Sequence, residues 1–222
     1  MKFLIECDGP IFDLAAGYGR IHRESAKAVG WSSLDTVTFW RLTRTKGKDA
    51  VLLPGAKPLK VKEYDEEFSK RVELDETVST LTAQSWAQAS MAALMKLGAC
   101  HVLTLRTNVA ARKLALERLG LARGVAGIEA ISSDPRQRVG EIKKLAAGDR
   151  RSMVLAATDA LVRSAREAEV FCVGISSGVC TPARLHQAGA DAVYPSLTEL
   201  AEWLNNDASD LIRAGLPPAA LP

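Results

Sequence analysis

Three things are scarce in this 222-residue chain: long apolar runs, regularly spaced cysteines and dense stripes of basic residues. No apolar run approaches the roughly 20 residues that a membrane-spanning helix needs. The N-terminal MKFLI is interrupted too soon, by Glu6 and Asp8, to act as a signal peptide. The expectation is therefore a cytoplasmic protein with no membrane partner. The four cysteines, Cys7, Cys100, Cys172 and Cys180, include no Cys-x-x-Cys or Cys/His pattern suited to zinc, and three adjoin apolar runs, so buried reduced thiols are expected. The net charge of +3 is mild, as is the pI near 8.7. No Lys/Arg stripe is interleaved with aromatic residues, which sets aside a nucleic-acid partner. Internal repeats and low-complexity segments are missing too. What is present, 47% hydrophobic and 25% charged residues, suits an ordinary globular protein with one core, or a core carrying a smaller insertion.

Six short apolar runs read as strands: KFLI at 2–5, HVLTL at 101–105, IEAIS at 128–132, MVLAA at 153–157, VFCVG at 170–174 and DAVY at 191–194. Stretches with helical spacing lie between most of them, such as NVAARKLALERLGL, DPRQRVGEIKKLAAG, DALVRSAREAE and TPARLHQAGA. Alternating strand and helix imply an α/β fold with a doubly wound, mostly parallel sheet and right-handed crossovers. One interval breaks the rhythm. Roughly ninety residues separate the first two strands, with helical patterns and no convincing central strand. They predict a helical insertion over residues 14–82, a core made of 1–13 and 83–210, and a frayed tail over 211–222. LLPGAKPLK at 52–60 is marked as a loop by its Pro and Gly.

The stretch KFLIECDGPIFD ends a strand in two acids, Glu6 and Asp8, and stops it at once with Gly9 and Pro10. Both carboxyls are thereby placed near the strand's carboxyl end, where α/β sheets bind ligands.

This strand, the insertion that follows, and a next strand ending in Thr104 together resemble the haloacid dehalogenase superfamily, in its phosphoglycolate-phosphatase-like branch with a helical cap. ECDGPIFD is similar to that family's Asp-x-Asp-Gly-Thr-Leu-x-Asp signature, and the late EVFCVGISSG…LHQAGADAVYPSLTELAEWL is similar to its usual ending. The resemblance covers about residues 2–204 and implies a Rossmann-like core, an inserted α-helical cap and Mg²⁺-dependent phosphate-ester hydrolysis. In that chemistry the first Asp attacks phosphorus and the second protonates the leaving alcohol, while magnesium and a Thr/Ser hydroxyl and Lys hold phosphate oxygens.

Carried over by position, the catalytic pair is Glu6 and Asp8, and the phosphate-binding pair is Thr104 and Arg138. The departures are telling. Glu6 is one methylene longer than the family's nucleophile, and a misplacement of about 1 Å can cost on the order of a hundredfold. Pro10 stands where Thr is usual. The later Gly-Asp-Ser/Thr-x-x-Asp motif aligns with Ala156, Ala157, Thr158 and Leu161, so both of its carboxylates are gone. The remaining metal-ligand candidates are Glu6, Asp8 and a shifted Asp159, and Mg²⁺ binding is expected to be weak or absent. Arg20 and His22, on the first cap helix, stand where such phosphatases read their substrates, although a solvated face also explains them. Two functions stay open. One is a binding or regulatory protein for a small phosphorylated metabolite with a degraded phosphatase site. The other is a working phosphatase that uses Glu6 and Asp8. A haloalkanoic acid substrate would also need the missing aspartate nucleophile.

Overall fold

The computed structural model describes residues 1–47 and 58–206. In chain order these form β1 (Lys2–Glu6), β2 (Phe12–Asp13), α1 (Ala15–Ala28), α2 (Thr36–Lys46), α3 (Pro58–Val72), α4 (Asp75–Ser79), β3 (Thr82–Ala83), α5 (Ala87–Leu97) and β4 (Ala99–Thr104). Then come α6 (Val109–Arg118), β5 (Gly127–Ala130), α7 (Pro135–Ala146), β6 (Ser152–Ala156), α8 (Asp159–Glu167), β7 (Phe171–Ile175), α9 (Pro182–Ala188), β8 (Ala192–Tyr194) and α10 (Leu197–Asn206).

Six strands pair in parallel in the order β5-β4-β1-β6-β7-β8. A parallel sheet covered on both faces needs apolar residues at every position, and β1 shows why its run is continuous. Phe3 and Ile5 enter one core with Met91 of α5 and Leu200 of α10, whereas Leu4 enters the other with Ile142 of α7 and Leu161 of α8. Helices thus cover both faces, as the doubly wound expectation requires. β1 leads on toward β4, and β6 leads the opposite way toward β7. The carboxyl ends of β1 and β6 therefore flank a topological switch point, the place where such sheets bind ligands.

α1 packs on α2 and α3 as an inserted α-helical cap, with Tyr18, Phe39, Tyr64 and Phe68 buried in its interior. Its connections to the core run through a small antiparallel ribbon in which Phe12 pairs with Ala83 and Asp13 with Thr82. The sequence pattern gives no hint of β2 and β3, because two-residue strands are too short to show a period. The helix that returns the chain to the core, α5, begins at Ala87, after this ribbon. Pro58, Leu59 and Lys60 belong to the first turn of α3 instead of the expected loop; Pro is well tolerated there because that N–H has no helical acceptor. Residues 52–57 of that loop and the tail over 211–222 lie outside the described residues.

α8 ends in a Schellman motif. Val170 N–H donates to the Ala165 carbonyl and Glu169 N–H to the Arg166 carbonyl, each at 3.0 Å. The motif needs a left-handed residue, which here is exposed Glu169 at φ 58° and not the usual glycine. Glu169→Gly is expected to stabilise the chain by about 0.5–1 kcal/mol, the relief of left-handed strain less the extra freedom glycine gains when unfolded. Urea unfolding should show this as a higher midpoint at unchanged slope.

Candidate active site at the switch point

Glu6 closes β1 and is buried. Its Oε2 accepts three hydrogen bonds, from Ala157 N–H at 2.7 Å, Thr158 N–H at 3.0 Å and the Thr158 hydroxyl at 3.2 Å. Those donors lie between the end of β6 and the N-cap of α8, so the extra methylene carries this carboxyl across the switch point. With alanine at 156 and 157, no neighbouring carboxylate contests the position. Burial pushes the Glu6 carboxyl up to about 7; the hydrogen bonds from Ala157 and Thr158 pull it down by less, and the charge of Asp8 adds to the rise.

Gly9 turns the chain at φ +110°. A Cβ there would lie 2.5 Å from Gly178 Cα and 3.0 Å from Ala157 Cβ, so glycine is required on both steric and conformational grounds. The turn aims Asp8 at a second cluster. Asp8 Oδ2 accepts from Arg106 Nε at 2.9 Å and from the Tyr18 hydroxyl at 3.3 Å, and Arg112 Nε lies 4.0 Å from Oδ1. Arg106 also donates through Nη2 to the Tyr18 hydroxyl. Burial alone would raise the Asp8 carboxyl, but the charges of Arg106 and Arg112 and the Arg106 hydrogen bond outweigh it and hold Asp8 below the usual carboxylate range.

Thr104 ends β4 beside β1, and its Oγ1 accepts from Arg106 N–H at 3.1 Å. Glu6, Asp8, Thr104 and Thr158 line one small cavity of about 40 Å³. Tyr18, Arg106 and Val179 line it as well, and the same three line a larger cavity of about 250 Å³ between cap and core. Arg106, Tyr18 and Val179 therefore stand where the two cavities adjoin.

The structure brings Glu6, Asp8 and Thr104 together and leaves the other predicted site residues elsewhere. Arg138 is buried, with Nε on Ser164 Oγ at 2.8 Å and Nη1 on the carbonyls of Ser132 and Ser133 at 3.2 Å, and it does not line the small cavity. Arg20 donates to Thr80 Oγ1 at 3.0 Å. His22 is inside the cap. Its Nε2 accepts from Leu34 N–H at 2.9 Å, which makes Nδ1 the donor to the Tyr64 hydroxyl at 2.7 Å, and the ring stacks on Phe39. Both nitrogens are engaged, and burial lowers the ring to about 4, assisted by Arg23. Asp159 pairs with Arg184 at 2.7 Å and lines the larger cavity, not the small one. Arg184 further donates through Nη1 to the carbonyls of Thr43 and Arg44, and Arg44 reaches the Ser176 carbonyl, so the end of α2 is tied to the core.

Sequence reasoning missed Arg106, Arg112 and Tyr18. Two signals were available: Arg106 follows Thr104 by two residues at a ligand-facing strand end, and Arg112 is a charge within the apolar stripe of Ala111, Ala115 and Leu116 on α6. Among the described residues, no group of three His, Cys, Asp or Glu side chains could hold a metal ion, and no helix is long and apolar enough to cross a membrane. All four cysteines are buried and unpaired.

No protein-family model matches the sequence, and no curated protein matches it either. Solved structures do. A haloacid dehalogenase-like family hydrolase from Streptococcus pneumoniae superposes with a TM-score of 0.72 at 13% identity, covering 91% of this chain and 97% of that one. A predicted phosphatase from Clostridium acetobutylicum gives 0.70 at 15% identity over 92% and 97%. A predicted phosphoglycolate phosphatase from Haemophilus somnus gives 0.66 at 11% over 90% and 96%. The chain thus has the haloacid dehalogenase-like fold, a doubly wound α/β core with an inserted α-helical cap.

Proposed function

We propose that this chain uses the haloacid dehalogenase-like fold to bind a small phosphorylated metabolite, in a binding or regulatory role, without efficient phosphohydrolase turnover. The observation that carries this is the Arg106–Asp8 ion pair at 2.9 Å. A general acid must hold a proton to give to the leaving alcohol. Asp8 is held ionised between two guanidiniums, and the oxygen facing Arg106 is already occupied by two donors. Glu6 supports the same reading. Its Oε2 receives three donors, which tie the carboxylate to the end of β6 and leave Oε1 as its one oxygen without a donor among the described residues.

The donor set does not fit magnesium. The ion wants near-octahedral oxygen ligation with one or two carboxylates. Here one oxygen of Glu6 is taken by N–H and O–H donors, Asp8 is paired with arginine, Asp159 is paired with Arg184, and the two later motif positions are alanine and leucine. A working phosphatase is favoured by one observation alone: burial brings Glu6 to about 7, a good value for proton transfer near neutral pH.

The test is phosphate release from a panel of phosphorylated metabolites, with and without Mg²⁺, by the wild type and Glu6→Gln. Background-level release by both is expected. Turnover at ordinary enzymatic rates that vanishes in Glu6→Gln would overturn the proposal and make Glu6 the working residue.

A further inference from the structure

We infer that the cap–core cavity is an oxyanion subsite in which Arg106 receives the charged group of a small ligand with a flat apolar body, held outside the pocket formed by Glu6, Asp8 and Thr104. This deepens the binding function proposed above and rests on it. The cavity measures about 250 Å³, slightly below the range of drug-sized sites, so the ligand is small. Tyr18, Phe39, Tyr64 and Phe68 line it. Tyr18 and Phe68 meet edge to face at 5.6 Å, and Tyr64 and Phe68 lie tilted at 6.0 Å, so the wall is rigid and aromatic.

Arg106 supplies the polar end. Its Nε is committed to Asp8 and its Nη2 to Tyr18. Nη1 makes no hydrogen bond among the described residues, and just over a quarter of the side chain stays exposed. Arginine's planar fork can hold an internal carboxylate on one edge and present the opposite side to a ligand anion. A second donor is at hand, since the Thr43 hydroxyl belongs to a residue lining the same cavity and has no partner among the described residues. Asp159 also lines the cavity, but its carboxylate is neutralised by Arg184 at 2.7 Å and Arg163 at 3.7 Å. Because Arg106 and Tyr18 line both cavities, an anion in the larger one can meet Arg106 without entering the pocket of Glu6.

The experiment is isothermal titration calorimetry of the full chain with phenyl phosphate, benzoate and the neutral benzyl alcohol, with released phosphate assayed in the phenyl phosphate sample. Benzoate cannot be hydrolysed, so it reads the subsite whatever happens to the phosphate ester. The expected result is saturable binding of at least one anion, phenyl phosphate or benzoate, with benzyl alcohol weaker by roughly 10- to 100-fold, the worth of one charge-assisted hydrogen bond. The anion that binds identifies whether the natural group is a phosphate or a carboxylate. Arg106→Met should remove the preference for the anion. Since that variant also strips Asp8 of its partner, Ser69→Trp is the second arm: Ser69 is exposed on the cavity rim of α3, and an indole there should block binding at unchanged stability. Absence of binding by both anions, equal binding of the alcohol, or full binding in Ser69→Trp would overturn the subsite. Phosphate release would count instead against the proposed function.

Discussion

Asp8→Asn is expected to destabilise this protein by about 3 kcal/mol or more, the cost of leaving a buried charge without its counter-ion. Arg112 is 2% exposed, and its Nε and Nη1 make no hydrogen bond among the described residues. Its Nη2 donates to the Val72 carbonyl at 3.5 Å, and its nearest counter-ion among the described residues is Asp8 at 4.0 Å. Without that charge the guanidinium stays buried beside Arg106, two cations facing a neutral amide. Arg106 can relax toward the cavity it lines, but Arg112 cannot. Urea unfolding would measure the loss. An ordinary catalytic acid behaves differently, because residues placed for function are often neutral or costly to stability and their removal is tolerated. A stable Asp8→Asn would therefore sink the view that this aspartate has become structural.

The same geometry sets the companion variants. Arg112→Met alone should be near neutral, since Asp8 keeps Arg106 and a poorly satisfied buried cation is exchanged for an apolar side chain of similar length. Combined with Asp8→Asn, Arg112→Met should return half or more of the lost stability. These residues share one network, so the two effects will not add, and the double-mutant cycle gives the coupling directly.

The contrast between Arg106 and Thr104 shows how far this site can be read from sequence. Strands such as MVLAA and VFCVG are legible because a sheet covered on both faces demands unbroken apolar runs, and their parallel direction follows from the alternation with helices. Glu6 and Thr104 are legible because each ends a strand, Asp8 because it follows β1 by two residues, and parallel strands end at one edge. Arg106 is not, because its meaning depends on β4 lying beside β1, which no local pattern reveals. The placement of other residues depends on tertiary context in the same way. His22 shares a helical face with Tyr18, Ser25 and Ala26, all buried, so the i, i+4 spacing already favoured a core histidine over a substrate reader. Arg138 likewise sits next to Val139 and one turn before Ile142, both buried. Arg44 is drawn to the Ser176 carbonyl by the docking of the cap, a contact only the tertiary structure defines.

Glu6→Gln should raise stability at pH 8 by about 3 kcal/mol and change it little at pH 4.5, a difference that follows from about 1.4 kcal/mol for each pH unit between 4.5 and 7. The sign follows from proton binding. Between those two values the folded chain holds the Glu6 proton that the unfolded chain has lost, so this group's contribution is full below pH 4.5 and disappears as pH rises through 7. His22 works in the opposite direction. Its ring is lowered from 6.5 to about 4, so its contribution is full above 6.5 and is lost as pH falls toward 4. In the wild type the two trends oppose each other from about 4.5 to 6.5, and a flat stability profile is expected there. Glu6→Gln removes one of them, leaving stability that climbs with pH to 6.5 and then levels. Asp8 titrates below its ordinary value and stays out of this window. The amide preserves the key geometry, since its oxygen can accept from Ala157 and Thr158 as Oε2 does. Urea midpoints from pH 4.5 to 8, with and without Mg²⁺, separate the two functional readings. A metal held by Glu6 would favour the ionised carboxylate, stabilise the wild type at pH 8 and leave Glu6→Gln unmoved. Equal response of both proteins is the expected outcome, because Oε2 is taken by three hydrogen-bond donors and the later carboxylates that would complete an ion's ligand set are replaced by alanine and leucine.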